Sequence, residues 1–296
     1  MRASRCSTTV VGTVGWRPTM ASVAAPRAEQ PIGMFDSGVG GLTVLEECLV
    51  ALPAEDFVYY GDTAWFPYGE KSRAELRYRA QAIGEWLIAE GAKLVVVACN
   101  TATAAALEHL QQQLDVPVMG VMAPEARAAA QTTRNRRVGL LATEATVASG
   151  SYERMILAND AGVTVTSVAC PRLAPAIQQG AGWDDEIVDM VRDYTEPLRV
   201  AQVDTVILGC THYPMVEKLL RRQLQGVEII KAGEELAREV ADTLRRRDLL
   251  RMSGREGGYR FACSGDPDTF RDVGGRFLQM PLGDVIRVEP VMSVRR

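Results

Sequence analysis

With 296 residues, 47% of them apolar and 24% charged, and a formal net charge of −4, the chain has the make-up of a globular protein holding one large or two compact α/β units. No basic block with interleaved aromatics occurs, which sets nucleic-acid partners aside, and no apolar run approaches the roughly 18 residues a membrane span needs. The 6 cysteines include no Cys-x-x-Cys pair and the two histidines stand far apart, so neither disulfide staples nor a zinc site is expected.

The first 30 residues lack periodicity and a continuous apolar segment, so they make a poor signal peptide. They are read as a disordered extension, or as an overlong start with Met20 as the initiator, and the fold is taken to begin at residue 31. From there short apolar runs alternate with helical patterns. "PIGMF" reads as a strand and "GGLTVLEECLVAL" as a helix, with Cys48 on its apolar face. "DFVYYG" is a second strand and "KSRAELRYRAQAIGEWLIAEG" a long amphipathic helix. "KLVVVAC", "TATAAALEHLQQQL" and "VPVMGV" continue as strand, helix and strand.

A second series follows "APEARAAAQTTRN". It runs "RVGLLA" (strand), "TVASGSYERMILAND" (helix), "VTVTSVAC" (strand), "DDEIVDMVRDYTEPLRVA" (helix), "DTVILGC" (strand), "PMVEKLLRRQL" (helix) and "VEII" (strand). The helix "GEELAREVADTLRRRDLL" and the strand "YRFACSG" close the pattern and are expected to return to the first unit. "LRRRDLLR" (244–251) reads as a solvated helix end. Cys170 and Cys263 read as core, and Cys6 lies in the opening tail. Strands apolar on both faces predict mostly parallel sheets covered by helices. The fold class is α/β with two similar lobes and a site in the cleft between them. The first lobe is residues 31–122 plus 232–286, and the second is 123–231.

Aligning the two series exposes an internal repeat. "KLVVVACNTATAAAL" and "DTVILGCTHYPMVEKLL" share one grammar: a buried strand, a small residue, a cysteine, a hydrogen-bonding residue, then a helix. Ligands of open α/β sheets bind beyond the carboxyl ends of strands, and a helix N-terminus lowers a nearby thiol pKa. A cysteine at a strand end is commonly just buried. Two at matching points of a repeat point instead to thiols facing one another across a cleft, Cys99 and Cys210.

Other strand ends converge there. "FDSGVGG" lacks both the glycine spacing of a dinucleotide loop and the lysine of a P-loop. Its glycines allow backbone N–H groups near an anion, whereas Asp36 suits an ammonium group or proton handling. "YGDTAWFPYGEKS" has the residues of a turn, with Asp62, Tyr68 and Ser72 as polar groups that could bind. "ATEAT" offers hydroxyls, one of which a helix N-cap explains.

Such a set suits inversion of the α-carbon of a small acidic amino acid: one base removes a proton from one face while an acid returns one to the other. Two thiols could do this without moving if each came within about 3–3.5 Å of the carbon, a spacing that excludes a disulfide. His212 is placed to exchange a proton with Cys210, and Asp36 could serve the Cys99 side. Backbone amides at helix starts, with Asn100, Thr101, Thr143 and Thr211, are available to stabilise carbanion character. The 4 lysines (71, 93, 218 and 231) form no recognisable Schiff-base motif, so cofactor independence is expected.

"FDSGVGGL", "YYGDTAWFPYG", "ACNTAT" and "LGCTHYP", in this order across about residues 31 to 285, resemble the glutamate racemases of the aspartate/glutamate racemase superfamily. The resemblance implies a two-lobed α/β fold and cofactor-free interconversion of L- and D-glutamate for peptidoglycan, in the cytoplasm, with a homodimer as one possible assembly. It implies Cys99 and Cys210 as proton donor and acceptor, and substrate contacts from Asp36, Ser37, Tyr68, Gly69, Asn100, Thr101, Thr211 and His212. Two departures stand out. Gln178 and Gln179 occupy a stretch where members commonly have an assisting glutamate, which leaves that helper missing or neutral. Lys231 stands where a small polar or acidic residue is usual. Racemisation of aspartate or another small acid, and a catalytically silent ligand-binding role, are the alternatives.

Overall fold

The computed structural model describes residues 27–180 and 184–291. The expectations for residues 1–26, Cys6 and Met20 included, lie outside the described residues. Residues 27–30, left out of the fold above, are part of it. Arg27–Glu29 form a 3-10 turn in which the carbonyl of Ala28 accepts from Lys93 Nζ at 2.7 Å.

The strands are β1 (Ile32–Asp36), β2 (Phe57–Gly61), β3 (Leu94–Val97), β4 (Val118–Gly120), β5 (Arg137–Ala142), β6 (Thr164–Ala169), β7 (Thr205–Gly209), β8 (Glu228–Lys231), β9 (Tyr259–Cys263) and β10 (Val285–Arg287). The helices are α1 (Leu42–Ala51), α2 (Arg73–Ala89), α3 (Asn100–Gln113), α4 (Met122–Thr132), α5 (Glu144–Ala148), α6 (Ser151–Asn159), α7 (Leu173–Gln178), α8 (Asp185–Val200), α9 (Glu217–Gln223), α10 (Glu234–Arg246) and α11 (Pro267–Leu278).

Two parallel sheets result, one in the order β10-β9-β2-β1-β3-β4 and the other β6-β5-β7-β8. The central strands β1, β2, β3 and β7 are buried at every position, which is why they read as unbroken apolar runs. The edge strands β6 and β8 are only partly covered, and their exposed positions carry polar residues, Thr164 and Ser167 in β6 and Glu228 and Lys231 in β8. Parallel pairing brings like ends together. Asp36 lies beside Gly61 in the first sheet, and Ala142 beside Gly209 in the second. The loops after β1, β2, β3, β5 and β7 therefore emerge on the carboxyl edges of the sheets.

Several local features differ from the sequence reading. The helix expected from "TVASGSYERMILAND" is two, because Gly150 adopts φ 62° between α5 and α6, a conformation open to glycine. The "APEARAAAQTTRN" segment forms α4, and α11 and β10 extend the first lobe beyond "YRFACSG". "LRRRDLLR" is not wholly solvated: Arg251 is buried and pairs with Asp56 at 2.7 Å, while its backbone N–H donates to Glu55. Glu55 in turn pairs with Lys93 at 2.5 Å, both buried. Cys48, Cys170 and Cys263 are buried free thiols, as expected.

Candidate active site

The carboxyl edges of the two sheets enclose a cavity of about 20 Å³. Its walls include Ser37, Tyr68, Gly69, Cys99, Asn100 and Thr101 from the first lobe. Thr143, Cys210, Thr211 and His212 come from the second. Asp36, Asp62 and Ser72, also singled out in the sequence, are not among the lining groups. Pro67, read in the sequence as a turn residue, and Phe66 and Ala174, which that reading passed over, complete the wall.

Cys99 ends the run from β3 and caps α3, accepting from the Ala102 N–H at 3.5 Å. Its thiol donates to Ser37 Oγ at 3.7 Å. Burial, reinforced by the charge of Asp36, pushes this thiol up to about 12, against the pull of the Ala102 and Ser37 contacts. Cys210 occupies the matching place after β7. Burial holds its pKa well above the usual thiol range, opposed by the His212 backbone N–H. Both sulfurs are free and share one cavity.

His212 Nδ1 lies 3.9 Å from Cys210 Sγ. The ring is clamped between Phe66 and Phe277, each with its centroid 5.3 Å away. This burial depresses the imidazole to about 3, so it is neutral at pH 7. On its other side Nε2 meets Gln178 Oε1 at 2.9 Å. An amide oxygen only accepts, so Nε2 carries the ring proton and Nδ1 presents a lone pair toward the thiol.

Asp36 stands behind the wall. Its carboxylate accepts from Gly38 N–H at 2.8 Å and from Thr211 Oγ1 at 3.0 Å, which makes it a support for the opposite lobe. No hydrogen bond joins it to Cys99; its influence there is through charge. Burial raises it to about 6, opposed by the Gly38 and Thr211 contacts. The glycines of "DSGVGG" serve the same close approach. A Cβ on Gly40 would stand 2.4 Å from Thr211 Oγ1 and from His212 Nδ1, and one on Gly38 2.6 Å from Gln178 Oε1. The loop is glycine-rich because the other lobe presses on it.

The hydroxyls sort themselves similarly. Thr101 Oγ1 bonds Thr143 Oγ1 at 2.9 Å across the lobes, and Thr143 caps α5. Tyr68 donates to buried Asp62 at 2.5 Å. Arg79 grips the same carboxylate through Nε at 2.8 Å and a second nitrogen at 2.6 Å, with the Trp65 ring over its guanidinium. Asp62 is thus an anchor of the Tyr68–Gly69 wall, while Ser72 caps α2 in a capping box with Glu75. Lys231 lies elsewhere, pairing with Glu47 at 3.7 Å and Glu217 at 3.9 Å. Among the described residues no group of 3 or more His, Cys, Asp or Glu is arranged to hold a metal, and no helix is long and apolar enough to cross a membrane.

Comparison with known proteins agrees with this layout. Residues 32–240 match the family described as Asp/Glu/Hydantoin racemase. The glutamate racemase of Geobacter metallireducens is 46% identical over 260 residues, covering 87% of this chain and 96% of the relative. The crystal structure of glutamate racemase isoform RacE1 from Bacillus anthracis superposes with a TM-score of 0.85 at 36% identity, covering 88% of this chain and 98% of that one. The glutamate racemase of Francisella tularensis, solved in complex with D-glutamate, gives 0.83 at 31% identity, with the same 88% and 98% coverage. Two lobes of parallel sheet, closed on a pair of free thiols and matched in sequence along most of their length, place the chain in the Asp/Glu/Hydantoin racemase family, among its glutamate racemases.

Proposed function

We propose that this chain interconverts L- and D-glutamate without a cofactor, by exchange of the α-proton between Cys99 and Cys210, and so supplies D-glutamate for peptidoglycan in the cytoplasm. The lobe bounds 31–122 with 232–286, and 123–231, belong to this reading and are supported by sheet membership. The observation that carries it is the pair of free, buried cysteines at equivalent strand ends of two sheets, lining one cavity.

In each turnover one sulfur enters as thiolate and removes the α-proton from one face of the substrate. The other enters as thiol and delivers its proton to the opposite face. The sulfurs leave with their protonation exchanged, and the reverse direction restores it. Burial opposes any thiolate here, so its charge must be balanced locally. For Cys210 the neutral His212 accepts the proton at Nδ1, giving a thiolate–imidazolium pair. For Cys99 the Ser37 hydroxyl and the Ala102 N–H solvate the sulfur. The substrate ammonium adds positive charge between the two. Asn100, Thr101, Thr143 and Thr211, with the Tyr68–Gly69 wall, hold the carboxylates and the developing carbanion.

The test is polarimetry of L- and D-glutamate in metal-free, pyridoxal-free buffer, with aspartate run in parallel. Loss of optical rotation from both glutamate enantiomers is expected. No change with either sinks the proposal, and faster turnover of aspartate replaces the substrate.

A further inference from the structure

Glu125, on α4, is 1% exposed and does not touch the cavity. Its Oε2 is the meeting point of two other buried groups. Tyr152 donates its hydroxyl to it, and Asn100 Nδ2 donates at 3.1 Å. Asn100 Nδ2 also donates to the Tyr152 oxygen at 2.6 Å. The three residues sit on α3, α4 and α6, so the cluster ties the start of the Cys99 helix to the second lobe.

Both N–H bonds of the Asn100 amide are committed to this cluster. Its Oδ1 is left buried without a hydrogen-bond partner, on a residue that lines the cavity beside Cys99. Turning the amide over would set an acceptor oxygen against Glu125 Oε2. Burial raises Glu125 to about 8, against the contacts from Tyr152 and Asn100. The carboxyl is therefore mainly neutral at pH 7. With its hydrogen on the otherwise unpartnered Oε1, Oε2 is the acceptor that both neighbours require.

We infer that Glu125 is a positioning residue: together with Tyr152 it locks the Asn100 amide so that Oδ1 is offered to the α-ammonium group of the substrate. The inference rests on the racemase reading above and assigns Asn100 an accepting role, where the sequence alone suggested a donor. An ammonium group brings donors only, so a fixed acceptor oxygen selects for it, and a freely turning amide does not.

The experiment compares Glu125→Gln and Glu125→Leu with the wild-type chain. It measures KM and kcat for both glutamate enantiomers, and the inhibition constant of glutarate, which keeps both carboxylates and lacks the ammonium. Glu125→Leu is expected to raise the glutamate KM about ten-fold, the worth of one hydrogen bond, while the glutarate constant stays within about two-fold. Glu125→Gln keeps an acceptor oxygen and is expected to behave as wild type. If Glu125→Leu does not fold, Tyr152→Phe, which removes one member of the lock, is expected to shift KM in the same direction with glutarate unaffected. Equal weakening of glutamate and glutarate, or equal damage from Gln and Leu, overturns the inference and leaves the racemase reading standing. Absence of glutamate turnover by the wild type overturns both.

Discussion

Gln178 accepts a hydrogen bond from His212 Nε2 at 2.9 Å, and this contact places the ring proton on Nε2 and leaves the lone pair of Nδ1 toward Cys210. A carboxylate in the same place would favour imidazolium, whereas the amide keeps the ring neutral. Glu at position 178 (Gln178→Glu) is therefore expected to raise the His212 pKa from about 3 and to move the acid limb of kcat/KM to higher pH. Gln178→Ala frees the tautomer and is expected to lower kcat about ten-fold. Rate profiles over the range of about pH 5 to 9 check both; an unchanged acid limb in Gln178→Glu would rule out the coupling.

Cys99→Ala and Cys210→Ala should each lower kcat by at least about 10³-fold, at the upper end of what a positioned proton-transfer group contributes. Both changes remove a small buried atom, so the folded state should survive with a loss on the order of 1 kcal/mol. Circular dichroism on heating separates the two effects. Because burial holds both thiols high, with Cys99 near 12, kcat/KM in the wild type should rise with pH through the neutral range. Product formed in deuterium oxide should carry deuterium at Cα, and retention of the original hydrogen would contradict a two-base exchange.

The stability of the fold should depend on pH in a window set by Glu125. Its folded pKa, about 8, lies above the ordinary 4.5, so its contribution is full below 4.5 and is lost as pH rises through 8. His212 runs the other way. Depressed from 6.5 to about 3, it contributes fully above 6.5 and loses that as pH falls. Asp36, raised from 3.8 to about 6, has given up its share by about pH 6. Between about 6.5 and 8 Glu125 is the one of these three still titrating, and stability should fall by roughly 2 kcal/mol. Urea unfolding at the two ends of that window measures it, and Glu125→Gln should flatten the slope.

Arg79→Met leaves Asp62 buried, charged and held only by the Tyr68 hydroxyl. Breaking such a pair from one side costs about 3–5 kcal/mol. The Tyr68–Gly69 wall should loosen with it, raising KM more than it lowers kcat. Asp62→Asn in the same background should recover part of the stability, because it removes the stranded charge. Denaturant titration of the single and double variants tests this, and a double variant no more stable than Arg79→Met would show that the charge is not the cause.

The sheet strands were legible because Leu94–Val97 and Thr205–Gly209 are covered on both faces and carry no polar interruption. The two cysteines were legible because their flanking residues repeat. What escaped depends on contacts distant in the chain. Asp36 was placed at the site from its strand end, yet its partner Thr211 stands 175 positions away and draws the carboxylate behind the wall. Helix α4 escaped because its buried residues are Met122, Pro124, Glu125, Ala126 and Ala129, with Met122 the one large apolar side chain among them, so no run of such side chains announces it. Glu125 went with it. Gln178 was visible as a departure from a resemblance, but its bond to His212 needed the fold.

The cavity between the thiols, about 20 Å³, has room for about one water molecule, far less than an amino acid with two carboxylates. Its walls come from both sheets and meet through Asp36–Thr211 and Thr101–Thr143. Entry and exit of glutamate must therefore prise these contacts apart, and chemistry must wait until they re-form around it. Turnover is then expected to be paced by this breathing of the two halves, so that solvent viscosity should slow kcat even though the proton transfers themselves are indifferent to it.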